Sequence, residues 1–187
     1  MLGARSLSNE EIKTLINVLN VRDRCLFVLG IRTGFRINEL LSLNVVDVFD
    51  GENVRGSVKV TKSNMKGKVK SRVVPIHDEA KALILEYMNR FPVRSLNFPL
   101  FRTNPVNRMK MCTFHKALKL ACLSAGVNPS GVSSHSMRKC YAASMFEALD
   151  QNIFKIQKAM GHASPQSTCS YLEVDYEEIN NAIKNAK

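Results

Sequence analysis

Apolar residues recur at helical spacing along almost the whole chain, and the pattern turns strand-like only once, between residues 54 and 76. That single switch of period, from about 3.6 residues to 2, confines the chain to an α+β, mainly helical domain. Its only sheet is a small antiparallel one, a hairpin near residues 45–76. Ser8 and Glu11 have the spacing of a capping box, and Ile12, Leu15, Ile16 and Leu19 then form one face of a helix over 8–20. A second helix over 23–32 ends at Thr33-Gly34, and a third begins near Arg36. Val58 and Val60 alternate with Ser57, Lys59 and Thr61. After a polar, lysine-rich turn, Arg72-Val73-Val74-Pro75-Ile76 supplies the second strand. Asp78 is placed to cap a helix over 79–90, with Ala82, Leu83, Leu85 and Met88 toward the core. Residues 91–111, which hold Pro92, Pro99 and Pro105, read as a loop. Helices follow over 113–125, 136–149 and 152–160, then a short one from Pro165 that carries Tyr171, and a last one over 175–186.

Charge narrows the function classes. Lysine and arginine number 27 against 16 aspartates and glutamates, a net charge of +11, so the expected partner is a polyanion. No apolar run reaches the ~18 residues of a membrane span, and the first residues lack the apolar core of a secretory signal. The five cysteines are scattered without a C-x-x-C pair, which argues against a disulfide framework and a zinc site. Reduced thiols in a cytoplasmic protein are expected. No phosphate loop of the Walker type is present, so no nucleotide cofactor is expected.

Four polar clusters remain. Arg36 follows the Gly34 break at a helix start, where a guanidinium and free backbone N–H groups together suit an anion. A surface ion pair with Glu39 is the simpler reading of the same residue. Lys62, Lys66, Lys68 and Lys70 stand on the hairpin tip, able to reach a phosphate or to protonate a leaving oxygen, or merely to solvate a turn. His135 and Arg138, at i and i+3, share a helix face. His162 follows a helix-ending glycine, and Tyr171 lies nine residues later. A phenol, with an ordinary pKa of about 10, becomes a nucleophile only among cations and hydrogen-bond donors. Taken together, two arginines, two histidines, a lysine and a tyrosine form a cationic phosphate site with a covalent nucleophile. Two guanidiniums neutralise non-bridging oxygens without a metal, and no carboxylate cluster suggests Mg²⁺.

These residues resemble the tyrosine recombinases, the phage integrase family, over residues 7–174 or so. The family's T-G-x-R-x-x-E-L-x-x-L box is matched by Thr33-Gly34-Phe35-Arg36-Ile37-Asn38-Glu39-Leu40-Leu41-Ser42-Leu43. Its H-x-x-R box is matched by His135 and Arg138, and its L-G-H box by Met160-Gly161-His162 with Met for Leu. Its nucleophile corresponds to Tyr171; Tyr176 competes on residue type only. The resemblance implies a site-specific DNA recombinase that works without cofactor, metal or ATP. Tyr171 attacks a phosphodiester to give a 3′-phosphotyrosine, Arg36 and Arg138 hold the phosphate, and His135 and His162 hydrogen-bond it and move protons. A hairpin lysine protonates the 5′-oxygen. Lys66 is favoured because Lys66-Gly67-Lys68-Val69-Lys70-Ser71-Arg72-Val73-Val74-Pro75 is similar to the family's K-G-x-K-x-R-x-V-P; Lys62 and Lys68 are the alternatives.

It further implies double-stranded DNA as partner and a tetramer on DNA, with residues 173–187 as a C-terminal helix whose Ile179 and Ile183 dock on a neighbour or on their own domain. Residues 1–187 are expected to form a single catalytic domain without the family's N-terminal core-binding domain, as a fragment or a short member akin to the fimbrial-switch recombinases. A non-catalytic DNA-binding accessory protein and a type IB topoisomerase are the competing functions. Nucleoid association is expected in a bacterial or phage setting.

Overall fold

The structure, a computed structural model, describes residues 3–61, 71–104, 106–169, 171 and 183–184. It forms two compact units, Met1–Tyr141 and Ala142–Lys187.

The first unit is built around a helix whose middle, residues 25–31, is buried on every side. Helix α2 (Val21–Thr33) buries Cys25, Leu26, Phe27, Val28, Leu29 and Ile31, the composition of a helix enclosed by others. Each fully buried Leu or Phe contributes about 1.5–3 kcal/mol. Around it pack α1 (Asn9–Val18), α3 (Ile37–Ser42), α4 (Asp78–Arg90) and α5 (Met111–Ser124). Gly30 lets another helix, α6 (Ser134–Ala148), come close: a Cβ there would meet Met137 Sδ at 2.8 Å. The capping box of α1 forms, with Ser8 Oγ accepting from Glu11 N–H at 3.1 Å and Glu11 Oε2 from Ser8 N–H at 2.9 Å. Two ion pairs fix α4 antiparallel to α2, Arg24 with Glu86 at 2.7 Å and Arg32 with Glu79 at 2.6 Å.

The sheet is narrower than the sequence suggests. Strands β1 (Ser57–Val60) and β2 (Arg72–Pro75) pair antiparallel, Ser57 opposite Pro75 and Val60 opposite Arg72, while Val45–Asp47 is a 3₁₀ turn. Val58, Val60 and Val74 face inward with Arg72, and Val73 points out. Helix α4 also differs in phase. Its cap is His77, whose Nδ1 accepts from Glu79 N–H at 3.2 Å, and its buried face is Ala80, Ile84, Tyr87 and Met88. Ala82 and Leu85 are exposed, because the i, i+4, i+7 row begins at Ala80 rather than at Ala82. The loop after α4 is tied down by backbone bonds that no sequence pattern announces: Val45 N–H to Phe98 O and Leu100 N–H to Leu43 O, both 2.9 Å.

The second unit is short. Helix α6 runs from the first unit into it and ends in a left-handed turn at Asp150 and Gln151. Helix α7 (Ile153–Met160) is capped by Asn152, buries Ile156 and Met160, and packs on α8 (Pro165–Cys169). Among the described residues no helix is long and apolar enough to cross a membrane. The cysteines are free thiols, and burial pushes Cys25, Cys122 and Cys140 up from the ordinary value.

Candidate functional site

In the first unit two arginines converge on the C-terminal end of α2. Gly34 closes that helix in the left-handed region, with φ 61°. The carbonyls of a helix end carry partial negative charge and lack intrahelical donors. Two guanidiniums meet them: Arg72 Nη2 donates to Thr33 O at 2.5 Å, and Arg138 Nη1 donates to Gly34 O. Both side chains are buried, Arg138 at 1% exposure and Arg72 at 9%. Arg72 also lies 4.9 Å from the Phe35 ring centroid and 5.8 Å from that of Tyr141. Burial lowers its pKa from the usual arginine value, with Tyr141 and Glu39 opposing the shift.

Arg36 follows directly. The ion pair with Glu39 forms, on a carboxylate that is buried rather than at the surface. Arg36 Nη1 pairs with Glu39 Oε1 at 2.9 Å, and Glu39 Oε2 accepts the Arg36 N–H at 2.8 Å. The Arg36 side chain nonetheless remains 28% exposed, while that of Glu39 is 2% exposed. The buried carboxylate therefore orients the guanidinium, and among the described residues Arg36 Nε and Nη2 keep no protein partner. His135 stands in the first turn of α6, exposed, its N–H bonded to Ser133 Oγ at 3.2 Å. Behind it His115 Nε2 and Ser134 Oγ are 2.8 Å apart. Burial lowers the His115 pKa, and His135 and Lys119 lower it further, which favours a neutral imidazole there.

The second unit places the other two residues together. Gly161 ends α7 at φ 64°, and the next residue turns back, with His162 N–H bonded to Gln157 O at 3.0 Å. His162 is 9% exposed, and its Nδ1 lies 2.9 Å from Thr168 Oγ1. Thr168 is buried and also accepts the Tyr171 N–H on its carbonyl at 2.9 Å. The His162 and Tyr171 rings are 5.2 Å apart at 37°. Tyr171 is not carried by α8 as the sequence suggests: that helix ends at Cys169, and Tyr171 sits in the turn beyond it.

Lys62, Lys66, Lys68, Lys70, Tyr176 and Ile179 lie outside the described residues. Among the described residues no group of three or more His, Cys, Asp or Glu could hold a metal ion. Three contributors escape the sequence reading of site residues. Arg72 was legible in principle, since strand alternation opposite Val60 puts it on the inward face. Thr168 stands only six residues from His162, whereas His115 meets Ser134 nineteen residues away, a contact that leaves no local pattern.

Loss of the Arg72 anchor has a measurable cost. Arg72→Met leaves Thr33 O buried without its donor, an expected loss of about 1–3 kcal/mol in denaturant unfolding. Arg72→Lys should recover little of it, because an ammonium lacks the planar fork that stacks on both rings.

The scaffold has known counterparts. A crystal structure of XerA recombinase superposes with a TM-score of 0.78 at 24% identity, over 99% of this chain and 65% of that one. A lambda integrase dimer bound to a COC′ core site gives a TM-score of 0.68 at 15% identity, over 94% of this chain and 64% of that one. Fold and residue order define a catalytic domain of the tyrosine-recombinase class. The chain belongs to the phage integrase family, whose sequence model matches residues 5–178. It is similar to tyrosine recombinase XerA of Pyrococcus horikoshii, 31% identical over 189 residues that cover 98% of this chain and 61% of that protein. It is also similar to a probable integrase/recombinase, YoeC, of Bacillus subtilis, 28% identical over 182 residues, with 96% and 93% coverage. The chain thus spans about three fifths of the archaeal relative and nearly all of the bacterial one.

Proposed function

We propose that this chain cleaves and rejoins double-stranded DNA at a specific site through a 3′-phosphotyrosine. The observation that carries the proposal is the pairing of Tyr171 with His162, the imidazole held by Thr168 Oγ1 at 2.9 Å and the rings 5.2 Å apart. Tyr171 Oη attacks the phosphorus and forms the P–O bond, and its proton passes to a histidine. The bond to the 5′-oxygen breaks, and that oxygen takes a proton from a hairpin lysine, leaving a free 5′-hydroxyl. Arg36 and Arg138 bear the charge that builds on the non-bridging oxygens. Attack of a 5′-hydroxyl from a second duplex reverses the step. Two such exchanges, through a Holliday junction, recombine the DNA. Self-association on DNA, in a tetramer that uses residues 173–187, belongs to the same proposal.

Nicked suicide duplexes bearing candidate sites test it on denaturing gels. A covalent protein–DNA band is expected; its absence on a duplex that the protein binds specifically would favour an accessory DNA-binding role. The lysine assignment has its own test. Lys66→Ala should slow cleavage by about 10²–10⁴-fold, the usual worth of a general acid, and more than Lys62→Ala or Lys68→Ala. A 5′-phosphorothiolate substrate, whose thiolate leaves without a proton, should restore the rate of Lys66→Ala. Restoration of one of the other two variants instead would move the general acid to that lysine.

A further inference from the structure

A concave feature lies wholly within the first unit, at the opposite end of α2 from the arginine-bound carbonyls. It is a cleft of ≈ 1120 Å³ between the start of α2, the end of α4 and the loop after it. The 13 residues of α2 separate the two ends by about 18 Å at 1.5 Å per residue. Five arginines line the cleft: Arg22, Arg24, Arg90, Arg94 and Arg102. No Lys, Asp, Glu, Ser or Ala does, although the chain holds 15 lysines against 12 arginines. Tyr87, Phe91 and Phe98 supply aromatic wall.

The arginines are incompletely used. Arg22 forks onto Asp23 at 2.8 and 3.1 Å and its Nη1 donates to Arg102 O at 3.2 Å, while Arg24 Nη2 alone reaches both Glu86 oxygens, at 2.7 and 2.9 Å. Arg102 Nη2 donates to Phe91 O at 2.6 Å. Arg24 Nε and Arg102 Nη1 are buried beneath the surface with no hydrogen-bond partner, so the donors open to a ligand are those at the rim. At the rim, Arg90 and Arg94 are exposed, and among the described residues nothing engages their guanidiniums.

Unused donors of one sign call for an anionic ligand, and the choice of residues selects its kind. A surface for nucleic-acid backbone recruits lysine and arginine alike. Arginine with aromatic side chains, and depletion of Lys, Glu, Asp, Ser and Ala, is the composition of protein–protein contact. Guanidinium forks match carboxylates in pairs. We propose that this cleft docks an acidic peptide segment of a partner protein, its carboxylates on Arg90 and Arg94 and an apolar anchor against Phe91 and Phe98.

The probe is a fluorescent twelve-residue peptide with four glutamates around a Leu and a Tyr, titrated in 0.15 M salt and read by anisotropy. Binding is expected with a dissociation constant below about 100 µM, and the Glu→Gln version of the peptide should fail to bind. Arg90→Glu/Arg94→Glu should weaken binding at least about tenfold, with an unchanged thermal midpoint because neither side chain has a partner to lose. Arg90→Lys/Arg94→Lys, which keeps the charge and loses the fork, should weaken the peptide about threefold or more while duplex DNA affinity holds within about twofold. No peptide binding at 1 mM (roughly −4 kcal/mol), or peptide binding indifferent to the charge reversal, would overturn the proposal. So would a charge reversal that weakens duplex DNA and spares the peptide, which would make the cleft a nucleic-acid surface.

Discussion

Tyr171→Phe should abolish the covalent protein–DNA adduct, lowering cleavage by more than about 10³-fold, the scale on which loss of a nucleophile registers. The substitution removes one oxygen. The ring that lies 5.2 Å from His162, and the backbone N–H that bonds Thr168 O, both remain. DNA affinity should stay close to that of the parent protein, and a far-UV circular dichroism spectrum of the variant separates lost chemistry from lost folding. Tyr176→Phe should leave the adduct intact. Adduct formed by Tyr171→Phe at an undiminished rate would show that another group attacks the phosphorus.

Gly34→Ala should be the most damaging small substitution in the first unit. Two costs combine. At φ 61° and ψ 20° a side chain pays the left-handed penalty of about 1–2 kcal/mol. The added Cβ also overlaps the ring of Tyr141, an overpacking cost of about 1–3 kcal/mol. Their sum, about 2–5 kcal/mol, is a large part of a typical domain's stability. The site should suffer further, because Gly34 O is the carbonyl that Arg138 Nη1 meets. Unfolding in denaturant measures the total, and a double-mutant cycle separates the parts. Tyr141→Ala should cancel the overlap in the double variant and leave the backbone penalty. Full additivity of the two substitutions would mean that the ring does not oppose the Cβ.

What the sequence made legible follows a physical divide. Helical periodicity, the capping box at Ser8 and Glu11, and the glycine stops at Gly34 and Gly161 are local, and the structure carries each of them. Motif order placed Arg36 at a helix start, His135 and Arg138 on one helix and His162 after a helix-ending glycine, whereas Tyr171 falls beyond the helix expected to carry it. What escaped depends on partners far away in the chain. The pairing of residues 43–46 with 96–100 consists of backbone bonds that any side chain permits. Arg72 reads as one more hairpin cation until the register with Val60 turns it inward, where Phe35, Tyr141 and Thr33 O await it. Thr168 is the exception, six residues from His162, its hydroxyl brought to the imidazole by the turn between α7 and α8. The phase of α4 failed for a related reason: two apolar rows compete on that helix, and packing on α2 decides between them.

The most direct measurement is the chemical location of the DNA on the protein. The adduct trapped on a suicide duplex, trimmed with nuclease and digested with protease, should yield in mass spectrometry a single modified peptide that carries a nucleotide 3′-phosphate on Tyr171. The same mass on Tyr176, on a histidine, or on a 5′-phosphate linkage would contradict the assignment.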